Sequence, residues 1–160
     1  MNKILLISII LFLITGSAKS QEIMKAQKIK IAQSVSYAIR DGKIGELGHQ
    51  LLTDDFKMDG AANLSMNRDE YIGYFSALKL AFPKMEMNFT HVFVDGDWVC
   101  MRYTNEAVHE GEYFGIPATN KNIYIKGLIM RKITDGKVSE EWECTDVFSI
   151  MAQLGVIPQN

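Results

Sequence analysis

Two cysteines, Cys100 and Cys144, are all that 160 residues offer for cross-linking, so no disulfide framework organises this fold. Both fall in segments of alternating polarity, with the segment that holds Gly127 between them. Two strand spacings are about 9.6 Å, beyond the Cα separation a disulfide tolerates, and two buried free thiols are expected. Cations are not in excess either: 17 Lys and Arg stand against 19 Asp and Glu. A surface that follows nucleic-acid phosphates needs clustered Lys and Arg, so no nucleic-acid partner is expected. The three histidines, His49, His91 and His109, lie far apart and lack the paired spacing of a metal site; no metal and no other cofactor is expected. There is no Gly-x-Ser-x-Gly elbow. The stretch from Gly42 to Gly48 has the wrong spacing for a phosphate loop.

A membrane-spanning run is missing too. The apolar segment from Ile4 to Ile14 is 11 residues long, where a spanning helix needs about 20. Lys3 precedes it, and Thr15-Gly16-Ser17-Ala18-Lys19-Ser20 follows with the small residues of a cleavage site, the pattern of a secretory signal peptide. Residues 1–20 are therefore expected to be removed after Ser20. Residues 21–160 would remain as one exported domain, periplasmic or secreted, without stable membrane insertion. That mature chain carries 15 basic and 19 acidic residues, and its length suffices for one core.

What is present is a change of period along the chain. From Glu22 to Gly42 the residues Met24, Ile31, Val35, Ala38 and Ile39 recur at helical spacing, and Gly45 to Leu52 reads as a second short helix. Asp54 to Gly60 is a brief strand. Asn67 with Glu70 three residues on forms a capping box, opening a helix that carries Tyr71, Tyr74, Phe75, Leu78 and Phe82 and stops at Pro83. Beyond Pro83 the pattern alternates. Met85 to about Val94, Trp98 to Asn105, Lys121 to Thr134 and Lys137 to Thr145 are predicted strands, with Asp135-Gly136 as a tight hairpin turn. Val147 to Leu154 is a last helix capped by Gly155. Helices first and a meander last argue for an α+β fold, a curved antiparallel sheet around an apolar pocket.

On the last strand Trp142, Cys144 and Asp146 share one face, and Glu141, Glu143 and Thr145 the other. If the first set lines the pocket, Trp142 is a wall and Asp146 a desolvated carboxylate able to shuttle a proton near neutrality. Asp146 also directly precedes the last helix, where it would serve equally well as N-cap. One sheet face is left needing cover, with Val99, Met101, Tyr103, Leu128 and Met130 assigned to it, and a homodimer packed through that face is expected.

The segment from His109-Glu110-Gly111-Glu112-Tyr113-Phe114-Gly115-Ile116-Pro117-Ala118-Thr119, followed by Asp135-Gly136-Lys137-Val138, Glu140-Glu141-Trp142, Asp146 and Gln153-Leu154-Gly155, resembles the SnoaL-like polyketide cyclase (ester cyclase) family. The resemblance implies the cone-shaped nuclear transport factor 2-like fold, with N-terminal helices enclosing a pocket. It also implies cofactor-independent acid/base chemistry on a small apolar, cyclic carbonyl compound, with Asp146 at the position of the family's acid/base aspartate. His109 matches the family's histidine before Gly-Glu, where it would orient a substrate carbonyl or simply hold its loop. Arg102 matches a family arginine and would meet Asp146, an acidic ligand or a neighbouring strand. Where some members carry a strand histidine this chain reads Arg131 or Lys132, a cation able to stabilise an enolate. The same fold could instead serve as an exported, non-catalytic ligand-binding or dimerisation module.

Overall fold

Ala32, Val35, Ala38 and Ile39 recur at three- and four-residue spacing and are all buried, and that stripe seats the first helix on a curved sheet. The computed structural model describes residues 3–60 and 64–158. In chain order the elements are α1 (Lys3–Arg40), α2 (Ile44–Leu51), β1 (Leu52–Gly60), β2 (Ser65–Asn67), α3 (Arg68–Ala81), β3 (Met85–Asp95), β4 (Trp98–Val108), β5 (Asn122–Thr134), β6 (Lys137–Thr145) and α4 (Val147–Leu154). The expected leader runs into the first helix of the domain without a break; its first two residues lie outside the described ones. Among the described residues no helix is long and apolar enough to cross a membrane.

Local chemistry sets the ends of these elements. Asn67 Oδ1 accepts from the backbone N–H groups of Asp69 and Glu70, both at 3.0 Å, while Glu70 Oε2 accepts from the Asn67 N–H at 2.9 Å. This capping box starts α3 and is worth about 1 kcal/mol. Asp135 and Gly136 both adopt positive φ, at 49° and 78°, the left-handed pair a two-residue hairpin demands. Gly155 closes α4 at φ 88°, where any side chain would be strained.

The sheet order is β2-β1-β6-β5-β4-β3. β3 to β6 form the expected antiparallel meander, and β1 joins β6 in parallel, pairing Met58 with Glu141 and Asp59 with Trp142. Helices α1 and α3 cover the inner face, which carries Val99, Met101 and Tyr103 from β4 and Ile123, Ile125, Ile129 and Ile133 from β5, all buried. This corrects the expected exposed face: Val99, Met101 and Tyr103 belong to the core, and only Leu128 and Met130 of that set look outward. Four isoleucines at odd positions of β5 bury more area than Leu128 and Met130 at even ones, and a sheet face is decided by that sum.

Candidate functional site

Parity along β6 follows from β5. Ile129 pairs with Glu143, Arg131 with Glu141 and Gly127 with Thr145, so Glu141, Glu143 and Thr145 share the inner face. Trp142 therefore points outward and is 54% exposed. It does not wall the pocket. Cys144, on the same outer face, is exposed rather than buried, Cys100 is half-buried, and both thiols are free; Met130 and Leu128 on β5 lie between their strands.

The inner face surrounds a cavity of about 130 Å³. Its walls are mostly apolar and aromatic, from Ile39, Tyr74, Phe75, Leu78, Phe82, Met85, Met87, Tyr113, Ile125 and Ile150. Polar groups reach it from the sheet, through Arg131, Glu143 with Thr145, Tyr103 and Asn105, and from the helices, through Ser36 and Tyr71.

Arg131 sits at one end, 1% exposed, and its guanidinium is fully engaged. Nε donates to Glu141 Oε2 at 2.6 Å, and Nη1 donates to Ser36 Oγ at 2.7 Å and to the Ala32 carbonyl. Tyr71 adds its hydroxyl to Glu141 Oε2 at 3.0 Å. The pair thus ties α1 and α3 to the sheet with its charges mutually compensated, the condition under which ions can be buried.

Glu143 is the charge left over. Its Oε1 accepts from Tyr103 Oη at 2.8 Å and from Thr145 Oγ1 at 2.9 Å, yet burial and, next, the negative charge of Glu141 push its pKa up to about 7. A carboxyl poised there exchanges a proton readily at neutral pH. The Tyr103 hydroxyl also lies 2.6 Å from Thr145 Oγ1, so three oxygen groups converge on one spot of an apolar wall. Gly127 makes this possible. Tyr103 stands on β4 and Thr145 on β6, with Gly127 paired between them; a Cβ at 127 would lie 2.5 Å from the Tyr103 ring and hydroxyl. Only glycine lets the phenol lie flat across β5 to reach the far strand.

The other expected site residues are dispersed. Asp146 is exposed and does not line the cavity, although its neighbours Thr145 and Val147 do, and its Oδ1 accepts from the Ser149 N–H at 3.0 Å as N-cap of α4. Arg102 is on the outer face and donates to Thr90 Oγ1 at 2.9 Å, away from both Asp146 and the cavity. His109 is fully buried behind the wall, packed against Phe82 with ring centroids 5.3 Å apart and the rings tilted by 34°. Its Nδ1 accepts the Thr119 N–H at 3.3 Å, which places the ring proton on Nε2, and burial lowers its pKa so that it stays neutral. It holds the 109–121 loop, whose Tyr113 lines the cavity. Among the described residues no group of three or more His, Cys, Asp and Glu side chains could hold a metal ion.

Sequence reasoning missed Glu143, Tyr103, Thr145 and Asn105. The usable signal was the odd-numbered isoleucines of β5, which place Arg131 on the inner face; a register shift between Lys132 and Ile133, which the Asp135-Gly136 hairpin alone does not announce, then sets Glu141 and Glu143 on that face in place of Glu140 and Trp142.

The fold recurs in solved structures. A protein from Jannaschia sp. CCS1 assigned as a SnoaL-like polyketide cyclase aligns at TM-score 0.75 and 18% identity, over 83% of this chain and 94% of that one. IdmH from Streptomyces antibioticus, assigned as a polyketide cyclase, aligns at 0.71 and 22%, over 81% and 99%. An epoxide hydrolase of M. tuberculosis, described as LEH-like, aligns at 0.64 and 11%, over 82% and 91%. No curated protein matches in sequence. The family model for SnoaL-like polyketide cyclases matches residues 46–154, from the second helix through the last, and the chain therefore belongs to the SnoaL-like polyketide cyclase family.

Proposed function

We propose that this protein is a cofactor-independent acid/base enzyme in which Glu143 moves a proton to or from carbon next to the carbonyl of a small cyclic compound. One observation carries the reading: a carboxyl that accepts from the Tyr103 and Thr145 hydroxyls stands in the wall of a mostly apolar cavity, where burial pushes its pKa up to about 7. The proposal gives to Glu143 the role that the resemblance carries over to Asp146. Ionised Glu143 abstracts the proton. The hydroxyls of Tyr103 and Thr145 donate to the ionised carboxylate; as Glu143 takes the proton its charge is lost, and these donors are released to turn to the oxygen on which negative charge has developed. The cavity size limits the substrate: an engineered cavity of about 150 Å³ takes up a benzene, so about 130 Å³ admits one ring.

The test needs no knowledge of the natural substrate. In D2O, the protein should accelerate deuterium uptake next to the carbonyl of cyclohexanone, and Glu143→Gln should abolish the acceleration. Uptake at the buffer rate, with wild type at millimolar ketone, would remove the proposal.

The outer sheet face supports a homodimer, formed by the exported domain. Phe93, Cys100, Met130 and Trp142 stand in one register row across four strands, with Leu128 beside it, and Phe93, Leu128, Met130 and Trp142 are exposed. Such a contiguous apolar row on an antiparallel sheet calls for a partner. Light scattering on protein lacking residues 1–20 should give twice the chain mass at tens of micromolar, and Trp142→Glu should give a monomer. A monomeric wild type would contradict the assembly and leave the pocket chemistry untouched.

A further inference from the structure

Asn105 is a polar side chain of the pocket that enters neither the proton-transfer chemistry nor the Arg131–Glu141 network. Asn105 is 6% exposed and lines the cavity. Its Oδ1 has no hydrogen-bond partner, and its Nδ2 meets only the thioether of Met85, at 3.6 Å. A buried amide left in that state costs roughly 1 to 3 kcal/mol, and buried polar groups are ordinarily satisfied. Its neighbours offer no relief: Ile125 is its cross-strand partner, and Tyr103, two positions back on the same face, has its hydroxyl on Glu143 and Thr145.

Position gives this amide its meaning. The inner face is layered along the strands, with Arg131 and Glu141 in one row, Glu143 in the next, Tyr103 and Thr145 in the third and Asn105 beyond. Successive rows are about 6.8 Å apart. Glu143 and Thr145 stand on β6 and Asn105 on β4, two strands away, and the Tyr103 phenol bridges the gap from β4 to β6 beside Asn105. A ligand that lies along this phenol with its reacting carbonyl at Glu143 and Thr145 presents its opposite end toward β4, where Asn105 stands.

We propose that Asn105 selects the ligand by binding a hydroxyl at the end of the ring remote from the carbonyl, making the substrate class small hydroxylated cyclic carbonyl compounds. A hydroxyl is both donor and acceptor, so it satisfies the amide in either orientation of its oxygen and nitrogen. A methyl group in that place would seal the amide away from water with nothing to bond. Sites built around a buried hydrogen-bonding group reject the analogue that lacks the partner more strongly than apolar pockets reject an added group.

The assignment rests on the proposed chemistry for the direction in which the ring lies, and its test is binding, not turnover. The probes are 4-hydroxycyclohexanone and 4-methylcyclohexanone, which differ by one group of nearly equal size, titrated by NMR into wild type, Glu143→Gln and Asn105→Leu. Wild type and Glu143→Gln should both bind the hydroxyl compound about tenfold more tightly, and Asn105→Leu should lose that preference. Asn105→Ala, which only removes atoms, should lose it as well and serves if the leucine fails to fold. Equal affinity of wild type for the two ketones would overturn the proposal, because water would then be the amide's partner. A preference that survives in a folded Asn105 variant would overturn it too. Failure of deuterium exchange with the preference intact would sink the acid/base role of Glu143 and leave Asn105 in place.

Discussion

Arg131→Met should destabilise the domain by about 3 to 5 kcal/mol, the largest stability loss expected of any single substitution here. The side chain is 1% exposed and donates to Glu141, Ser36 and the Ala32 carbonyl, so its removal strands a buried carboxylate whose Oε1 already lacks a partner. The Tyr71 hydroxyl would be left as the sole donor to Glu141. The loss belongs to the unpaired charge more than to the missing contact, and a second change exposes this. Arg131→Met combined with Glu141→Leu should recover most of the stability, since apolar replacement of a whole buried pair is often neutral. Chemical denaturation of the two single variants and the double variant gives the coupling directly. A double variant no more stable than Arg131→Met would mean that the pair contributes through shape and not through charge.

Glu143→Gln should lower the rate of deuterium exchange by a factor on the order of 10² to 10⁴, and it should make the protein more stable, not less. The Glu143 pKa lies at about 7 in the fold against an ordinary 4.5, so the folded state holds this proton more tightly than the unfolded chain. Ionisation therefore penalises folding. The penalty is absent below about pH 4.5, grows between there and 7, and is complete above 7. At one pKa unit per 1.36 kcal/mol, glutamine should add on the order of 1 to 3 kcal/mol at pH 8 and nothing at pH 4. The wild-type rate should rise through pH 7 as the base form accumulates. Asp146→Asn provides the contrast: asparagine caps helices as well as aspartate does, so both rate and stability should stay near wild type. If Asp146→Asn lost activity while Glu143→Gln kept it, the acid/base role would return to Asp146.

The two carboxylates also mark how far the sequence could be read. Features that depend on a few adjacent residues were legible: the capping box at Asn67, the Asp135-Gly136 turn and the Gly155 cap each follow from local backbone demands. Both readings of Asp146 were legible as well, and the geometry realises the cap. The face of β6 was not. Burying an indole and exposing two glutamates is the ordinary choice, and it is reversed here because Arg131 neutralises Glu141 inside the fold, a pairing set by the register shift between Lys132 and Ile133 that inverts the parity of β6. The same inversion hid the pocket's chemistry, since Glu143 follows Glu141 by parity and Tyr103 reaches it only across Gly127. The parallel addition of β1 to β6 is a long-range pairing that no local signal announces.

The most direct measurement of the central claim is the titration of the Glu143 carboxyl itself. Carbon NMR on protein with carbon-13 at the glutamate side-chain carboxyls, with the signal identified by its absence in Glu143→Gln, follows that one group from pH 4 to 9. The account predicts a midpoint near 7 in wild type. A midpoint near 4.5 would describe a well-solvated surface-like carboxylate and would contradict a dry acid/base site on the inner face.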